Sequence, residues 1–506
     1  MSESHLLVQA LQTFPDRVAF FHDGGELTYA QLEAKISQFA QALTALGVEP
    51  GEHLGVLCSN RMETLFVTLS ANLLGLCLVP LHPRGSAADH RYIVEDAEIR
   101  TLVFDPAHFA ARAIELREAG ATKLLSLGAH DAGDDLEAAA QKFTPKKLRA
   151  PDVAPDAMCR ISYSGGTTGV PKGIMGTYAM MLTKTLIQIT EWEWPSEIRQ
   201  LVCAPLSHAG GSVVLPTLMR GGSLIVLQAF DPPKVFRAIE QHRITCILLV
   251  PTMIYALLDH ADFSQHDLSS LEAIYYGASP MSPTRLREGI ERLGPIFFQF
   301  YGQTEAPMSV CVLKRAEHDP RSLDRLASCG RPAPWIRVAL LDENGAEIEG
   351  QEPGEICVRG PLVTPGYWRK PEETRAAFEG GWLHTGDIAV RQADGFLRIV
   401  DRKKDMIISG GFNVFAREVE DVIAEHPAVS ACAVIGVADA HWGEAVTAIV
   451  VCKPETSVSE ADLVSLVKAR KGPVQAPKRI VFVDELPITG LGKPDKKALR
   501  AKYAAQ

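Results

Sequence analysis

Residues 164–173 read Ser164, Gly165, Gly166, Thr167, Thr168, Gly169, Val170, Pro171, Lys172 and Gly173. Glycines, hydroxyls and a lysine at this density suit a bound phosphate. Without a Cβ the backbone N–H groups can close around phosphate oxygens, while the threonine hydroxyls and Lys172 add donors and charge. The run is not a P-loop, because Val170 and Pro171 separate Gly169 from Lys172 and no Ser or Thr follows the lysine. Taken alone it also fits an ordinary Gly/Thr surface turn.

Further stations follow in order. Tyr301, Gly302, Gln303, Thr304 and Glu305 come after the apolar run 296–300, and Trp382, Leu383, His384, Thr385, Gly386 and Asp387 come later. Asp401 to Asp405 form a charged run, ahead of Gly410, Gly411, Phe412 and Asn413; Gly492, Lys493, Pro494 and Asp495 lie near the end. This ordered string, spanning roughly residues 15–500, resembles the adenylate-forming superfamily of acyl-CoA synthetases, peptide-synthetase adenylation domains and beetle luciferases.

The resemblance implies roles that the chemistry of each residue supports. ATP, Mg²⁺ and coenzyme A are the implied cofactor and co-substrates. Ser164, Gly165, Gly166, Thr167, Thr168, Gly169 and Lys172 would hold phosphates. Glu305 would hold Mg²⁺ through a hard carboxylate oxygen, Thr304 would reach the α-phosphate, and Tyr301 and Gly302 would lie against adenine. Asp387 would accept from the ribose hydroxyls and Arg402 would support the ribose and phosphate side. Lys493 would enter the active site in one domain orientation, bridging carboxylate and α-phosphate and stabilising charge in the transition state. Lys404 falls at the implied hinge. After a domain rotation Gly410 and Gly411 would line the thiol channel. His208 would gate the acyl pocket, formed by Gly210, Gly211, Val214, Tyr276, Gly277, Ala278 and Met308. With no Arg or Lys in that set, an apolar fatty or aromatic monocarboxylate is the expected acid.

Two positions depart from the pattern. Gly165 lacks the hydroxyl usual in the loop, and Ala416 stands where proline is common. Neither removes a catalytic group. Thioester formation with coenzyme A is the expected second step, and loading onto a separate carrier protein is the alternative. Lys468, Arg470, Lys471 and Lys478 either meet the nucleotide end of coenzyme A or form a solvated face.

The elements that must carry these residues are legible in the pattern. Thr28 and Gln31 form a capping box ahead of Leu32, Ile36, Phe39, Leu43 and Leu46 at helical spacing. Strands at 54–57 and 77–80 flank a helix at 62–74, and strand candidates at 201–204, 223–227 and 245–250 alternate with helical segments, the mark of parallel α/β sheets. Near Gly330 the texture turns to short runs at 337–341, 354–359 and 395–400, as in a small antiparallel sheet or barrel. A helix at 417–425, strands at 431–436 and 446–452, a Ser459-capped helix and a strand at 479–483 follow. The fold class is therefore α/β: a large N-terminal domain (1–401) of two α/β subdomains plus a small β-barrel, and a small mobile α+β C-terminal domain (402–506).

Composition sets the outer limits. At 506 residues, more than one domain is expected. A net charge of −10 offers no basic field for nucleic acid. The ten cysteines show no metal-ligand spacing, which suits a reducing cytoplasm. No leader or peroxisomal address is read at the ends. Asn72 and Pro80 interrupt the most apolar stretch, 65–81, so a buried helix running into a strand is expected rather than a membrane span.

Overall fold

The computed structural model describes residues 1–22, 24–164, 171–439, 441–488 and 494–503. Thr28 caps the helix Tyr29–Ala45 by the expected box with Gln31. The helix ends as its cap residue Leu46 turns towards Gly47, whose φ of +75° suits glycine alone. Its buried face, Leu32, Ile36, Phe39 and Leu43, joins a cluster with the helix Met62–Leu73 and with residues of two different sheets. These helices therefore fill the space between the sheets, which is why their apolar stripes are wide.

One sheet has seven strands and is built on parallel pairs. His53–Leu57 lies between Cys77–Pro80 and Thr101–Phe104, and the strand Met158–Ser164, which pairs beside Cys77–Pro80, leads into the glycine-rich run. The second sheet has nine strands, with Arg199–Val202, Ser223–Val226, Cys246–Leu249 and Ala273–Gly277 pairing in parallel. Val18–His22 joins it beside Ser223–Val226, a long-range pairing with no local sequence signal. Phe297–Gln303 then hairpins onto Ala306–Leu313, leaving Thr304 and Glu305 at the turn.

Arg337–Leu341, Gly354–Arg359, Leu383–Arg391 and Leu397–Arg402 form a four-stranded antiparallel sheet. Its outer strands are not paired with one another among the described residues, so the expected barrel is here an open sheet. From Ile407 onward the strands belong to a separate five-stranded sheet with its own apolar core around Val419, Val446 and Leu463. Among the described residues no helix is long and apolar enough to cross a membrane. All ten cysteines are free, and eight are buried, so none staples the fold.

Candidate active site

Sheet register assembles the most polar part of the site. In the antiparallel pair Leu383–Arg391 and Leu397–Arg402, Asp387 stands opposite Arg402. Arg402 Nε donates to Asp387 Oδ1 at 3.0 Å, and Tyr301 Oη, from the nine-stranded sheet, donates to Asp387 Oδ2 at 2.7 Å. The Asp387 side chain is 5% exposed and that of Arg402 is 45% exposed, so the carboxylate is fixed while the guanidinium still faces the opening. The Asp387 charge raises the pKa of Arg402, and burial followed by the same charge raises that of Tyr301. Both oxygens of Asp387 keep a lone pair for a further donor.

The turn after Tyr301 carries a second polar group. Tyr367 Oη donates to Glu305 Oε1 at 3.0 Å, and Lys172 Nζ stands 5.0 Å from the Tyr367 ring centroid. Burial raises the Glu305 pKa against the hydrogen bond from Tyr367 and the charges of Arg402 and Lys172. Thr304 is exposed at the turn tip, and Gly302, Thr304, Glu305 and Lys172 line one cavity of about 2750 Å³ together with Asp387 and Arg402. A carboxylate with one oxygen engaged by a phenol, at the wall of a cavity, offers the hard oxygen donor that Mg²⁺ requires. Gly165, Gly166, Thr167, Thr168 and Gly169, and the side chain of Ser164, lie outside the described residues. Tyr367 had no signal of its own in the sequence beyond the turn residues Pro365 and Gly366 before it.

His208 lines the same cavity. Its Nδ1 is 2.9 Å from Ser207 Oγ, and its ring meets His82 edge-on at 4.6 Å. Burial, with the His82 and Arg160 charges beside it, pushes its pKa down to about 3, so the imidazole is neutral at physiological pH. Gly211, Val214, Ala278 and Met308 line the same cavity. Gly210, Tyr276 and Gly277 do not. Alternation along Ala273–Gly277 turns Tyr276 into the core on the other face, where its hydroxyl is 3.1 Å from Gln299 Oε1 and 3.0 Å from His318 Nε2. A Cβ on Gly277 would lie 2.2 Å from Phe300 O, and one on Gly210 2.2 Å from Ala204 O, so these glycines serve close backbone approach. The cavity wall also includes Arg160, Lys184 and Glu3, charged groups that the expected lining lacked.

From the C-terminal sheet and its flanking segments, Ile488, Pro494, Asp495, Lys496 and Arg500 line the cavity. Lys493 lies outside the described residues. Arg500 Nη2 meets Asp405 at 2.7 Å, and Lys496 Nζ meets Glu420 at 2.7 Å. Burial would lower the pKa of Lys496, but Glu420, Asp401 and Asp405 together raise it. Asp401 is pushed up to about 6 by burial. Lys404 also lines the cavity, with its pKa lowered by burial. Gly410 and Gly411 do not reach it: they form the turn between Ile407–Ser409 and Phe412–Val414, with φ of +60° and +81°, and Gly410 N donates to Trp442 O at 2.7 Å. Of the basic group, Lys471 pairs with Glu418, Arg470 pairs with Glu425, and Lys478 donates to the carbonyls of Pro473, Val474 and Ala476.

Residues 7–368 match the family model for the AMP-binding enzyme, and residues 418–493 match that for the AMP-binding enzyme C-terminal domain. The chain belongs to the AMP-binding enzyme family. It is 51% identical to the medium/long-chain-fatty-acid–CoA ligase FadD8 of Mycobacterium tuberculosis, covering 99% of this chain and 90% of that protein. Identity to a feruloyl-CoA synthase of an Amycolatopsis species is 37%, covering 98% of each chain. Among solved structures, the amide bond synthetase McbA from Marinactinospora thermotolerans superposes with a TM-score of 0.91 at 33% identity, covering 99% of this chain and all of that one. In this AMP-binding enzyme both matched regions contribute walls to the same cavity.

Proposed function

We propose that this protein is an ATP-dependent carboxylate–CoA ligase for a fatty or aromatic acid, working through an acyl-adenylate. The observation that carries this reading is one continuous cavity. It holds the Asp387, Arg402 and Tyr301 cluster together with Glu305, the apolar residues Val214, Ala278 and Met308, and the Pro494 to Arg500 segment.

In the first step a carboxylate oxygen of the acid attacks the α-phosphorus of ATP. The bond to the bridging oxygen breaks, pyrophosphate leaves and acyl-AMP forms. Asp387 accepts from the ribose hydroxyls, with its orientation held by Tyr301 and Arg402. Glu305 would hold Mg²⁺, which supplies charge neutralisation on the phosphates when bound. Residues 165–169 and Lys172 hold phosphates, and Lys493 offsets the charge of the approaching anions; support comes from Ile488 and Pro494, which line the cavity on either side of it in sequence. Neutral His208 can accept or donate a hydrogen bond at the acyl side without adding charge. In the second step the thiol of coenzyme A attacks the carbonyl carbon, and AMP leaves with the bridging oxygen. The C-terminal domain turns about Lys404 between the steps, withdrawing Lys493 and bringing Gly410 and Gly411 to the thiol path.

A panel of fatty and aromatic acids assayed for pyrophosphate and AMP, with and without coenzyme A, tests the reading. AMP formation that depends on both acid and coenzyme A is expected. Turnover with a carrier protein or an amine but never with coenzyme A would reassign the acceptor, and no pyrophosphate with any acid would end the adenylation reading.

A further inference from the structure

The acyl side of the cavity carries a half-buried cation, Arg160, with no carboxylate in direct ion-pair contact among the described residues; the Glu3 charge acts on it only from further away. Arg160 lies on Met158–Ser164, the strand that leads into the glycine-rich run. Ser164 pairs with Lys172 at the phosphate end, whereas Arg160 pairs with Gly176, four residues further in. At strand rise that separation is roughly 13 Å, on the side away from the phosphates. Arg160 Nε donates to Ser162 Oγ at 2.9 Å and Nη2 donates to Ser207 O at 2.8 Å. Both serines, and His208, line the same cavity.

A guanidinium has five N–H donors, so three are left without a protein acceptor among the described residues. Among the described residues no carboxylate stands within ion-pair distance of Arg160. The neighbouring Lys184 differs: its Nζ meets Glu3 Oε1 at 3.3 Å, with side chains 8% and 12% exposed, so that charge is balanced. The remaining wall is largely apolar, including Leu65, Leu69, Met180, Met181 and Leu215. A half-buried guanidinium with donors to spare at a largely apolar wall is stabilised by an oxygen acceptor that reaches them, and His82 and His208 are neutral beside it.

We propose that Arg160 is a specificity-determining residue that binds an oxygen acceptor on the body of the acid, remote from the carboxylate that is adenylated. The acid class is then a fatty or aromatic carboxylic acid bearing a keto, hydroxyl, ether or second carboxylate oxygen. The inference rests on the ligase reading and deepens it. The reacting carboxylate is excluded as the partner of Arg160 because it must lie at the phosphate end of the strand.

The test measures kcat/KM for pyrophosphate release with matched acids of equal length, one all-methylene, one with a mid-chain keto oxygen and one with a terminal carboxylate, together with a phenylpropanoate and its ring-hydroxylated counterpart. The native enzyme is expected to favour at least one oxygen-bearing member over its plain counterpart by roughly tenfold or more, because a site built to hydrogen-bond an oxygen rejects the analogue without it. Preference for the dicarboxylate alone identifies an anion as the ligand; preference for the keto or hydroxyl member identifies a neutral oxygen. In Arg160→Met the ratio should fall to within about twofold of unity, and Arg160→Lys should restore part of it. Equal or better use of every plain acid by the native enzyme overturns the proposal without recourse to any variant, as does an unchanged ratio in Arg160→Met. Absence of pyrophosphate with all acids would instead remove the ligase reading beneath it.

Discussion

Asp387 is held by two donors before any ligand arrives. Tyr301 and Arg402 orient its oxygens, and at 5% exposure the side chain has little freedom to relax. Asp387→Ala removes the ribose acceptor and strips a buried phenol and a guanidinium of their partner, so kcat/KM for ATP should fall by about two orders of magnitude, near 3 kcal/mol. Steady-state kinetics with ATP varied measures it; an unchanged KM and kcat would remove Asp387 from the nucleotide site. Lys493→Ala should abolish adenylate formation yet still convert supplied acyl-AMP to thioester, since its charge is needed only while two anions approach one another. Equal loss of both half-reactions would contradict the assigned role.

Elements explain why some lining residues were legible and others were not. The capped helix Tyr29–Ala45 and the strands Cys77–Pro80, Arg337–Leu341 and Gly354–Arg359 fall where periodicity and turn residues put them. Asp387 and Arg402 were found as motif members, but only the register of their two strands makes them a pair. The motif puts Tyr276 at the pocket, whereas its side chain packs in the core on the other face, because a motif position does not say which face of a strand its side chain takes. Arg160 carries no sequence signal for the complementary reason: strand alternation aims it into the cavity, and nothing in the sequence says which strand face is hollow. Gly210 and Gly277 support the pocket from behind. Gly277→Ala and Gly210→Ala should each destabilise by about 1–3 kcal/mol through backbone displacement. Gly176→Ala should cost less, because its nearest neighbour would be at 3.4 Å. Thermal melting of the three variants checks this, and a Gly277→Ala melt equal to that of the native protein would contradict it.

At the scale of the molecule, the large sheets and the C-terminal sheet meet across a charged seam. Lys496 stands among Glu420, Asp401 and Asp405, and Arg417 Nη2 reaches Met281 O at 3.0 Å across the same junction. Lys496→Met takes the cation from Glu420 and Asp401 and leaves Asp405 with Arg500 alone, so the C-terminal domain should undock; small-angle scattering should show a larger radius of gyration and adenylation should slow. Unaltered scattering and rate would show that the seam is not held this way. Buried histidines set the acid limit. His82, His208 and His318 are pushed down to about 4, 3 and 4 by burial, from 6.5. They stay neutral in the fold while the unfolded chain takes up protons below 6.5, so stability is full above that pH and is lost as the pH falls, by roughly 2 kcal/mol per histidine at about pH 5. Melting temperatures that do not drop between about pH 7 and about pH 5 would contradict this linkage.

The central claim is that an oxygen of the acid becomes bonded to the α-phosphorus of ATP within this cavity. Turnover of a carboxylic acid labelled with heavy oxygen at both carboxylate positions, with ATP and coenzyme A, followed by mass spectrometry of the nucleotide, tests it directly. The account predicts AMP carrying one labelled oxygen and a thioester carrying the other. Unlabelled AMP, or ADP with label in inorganic phosphate, would contradict it.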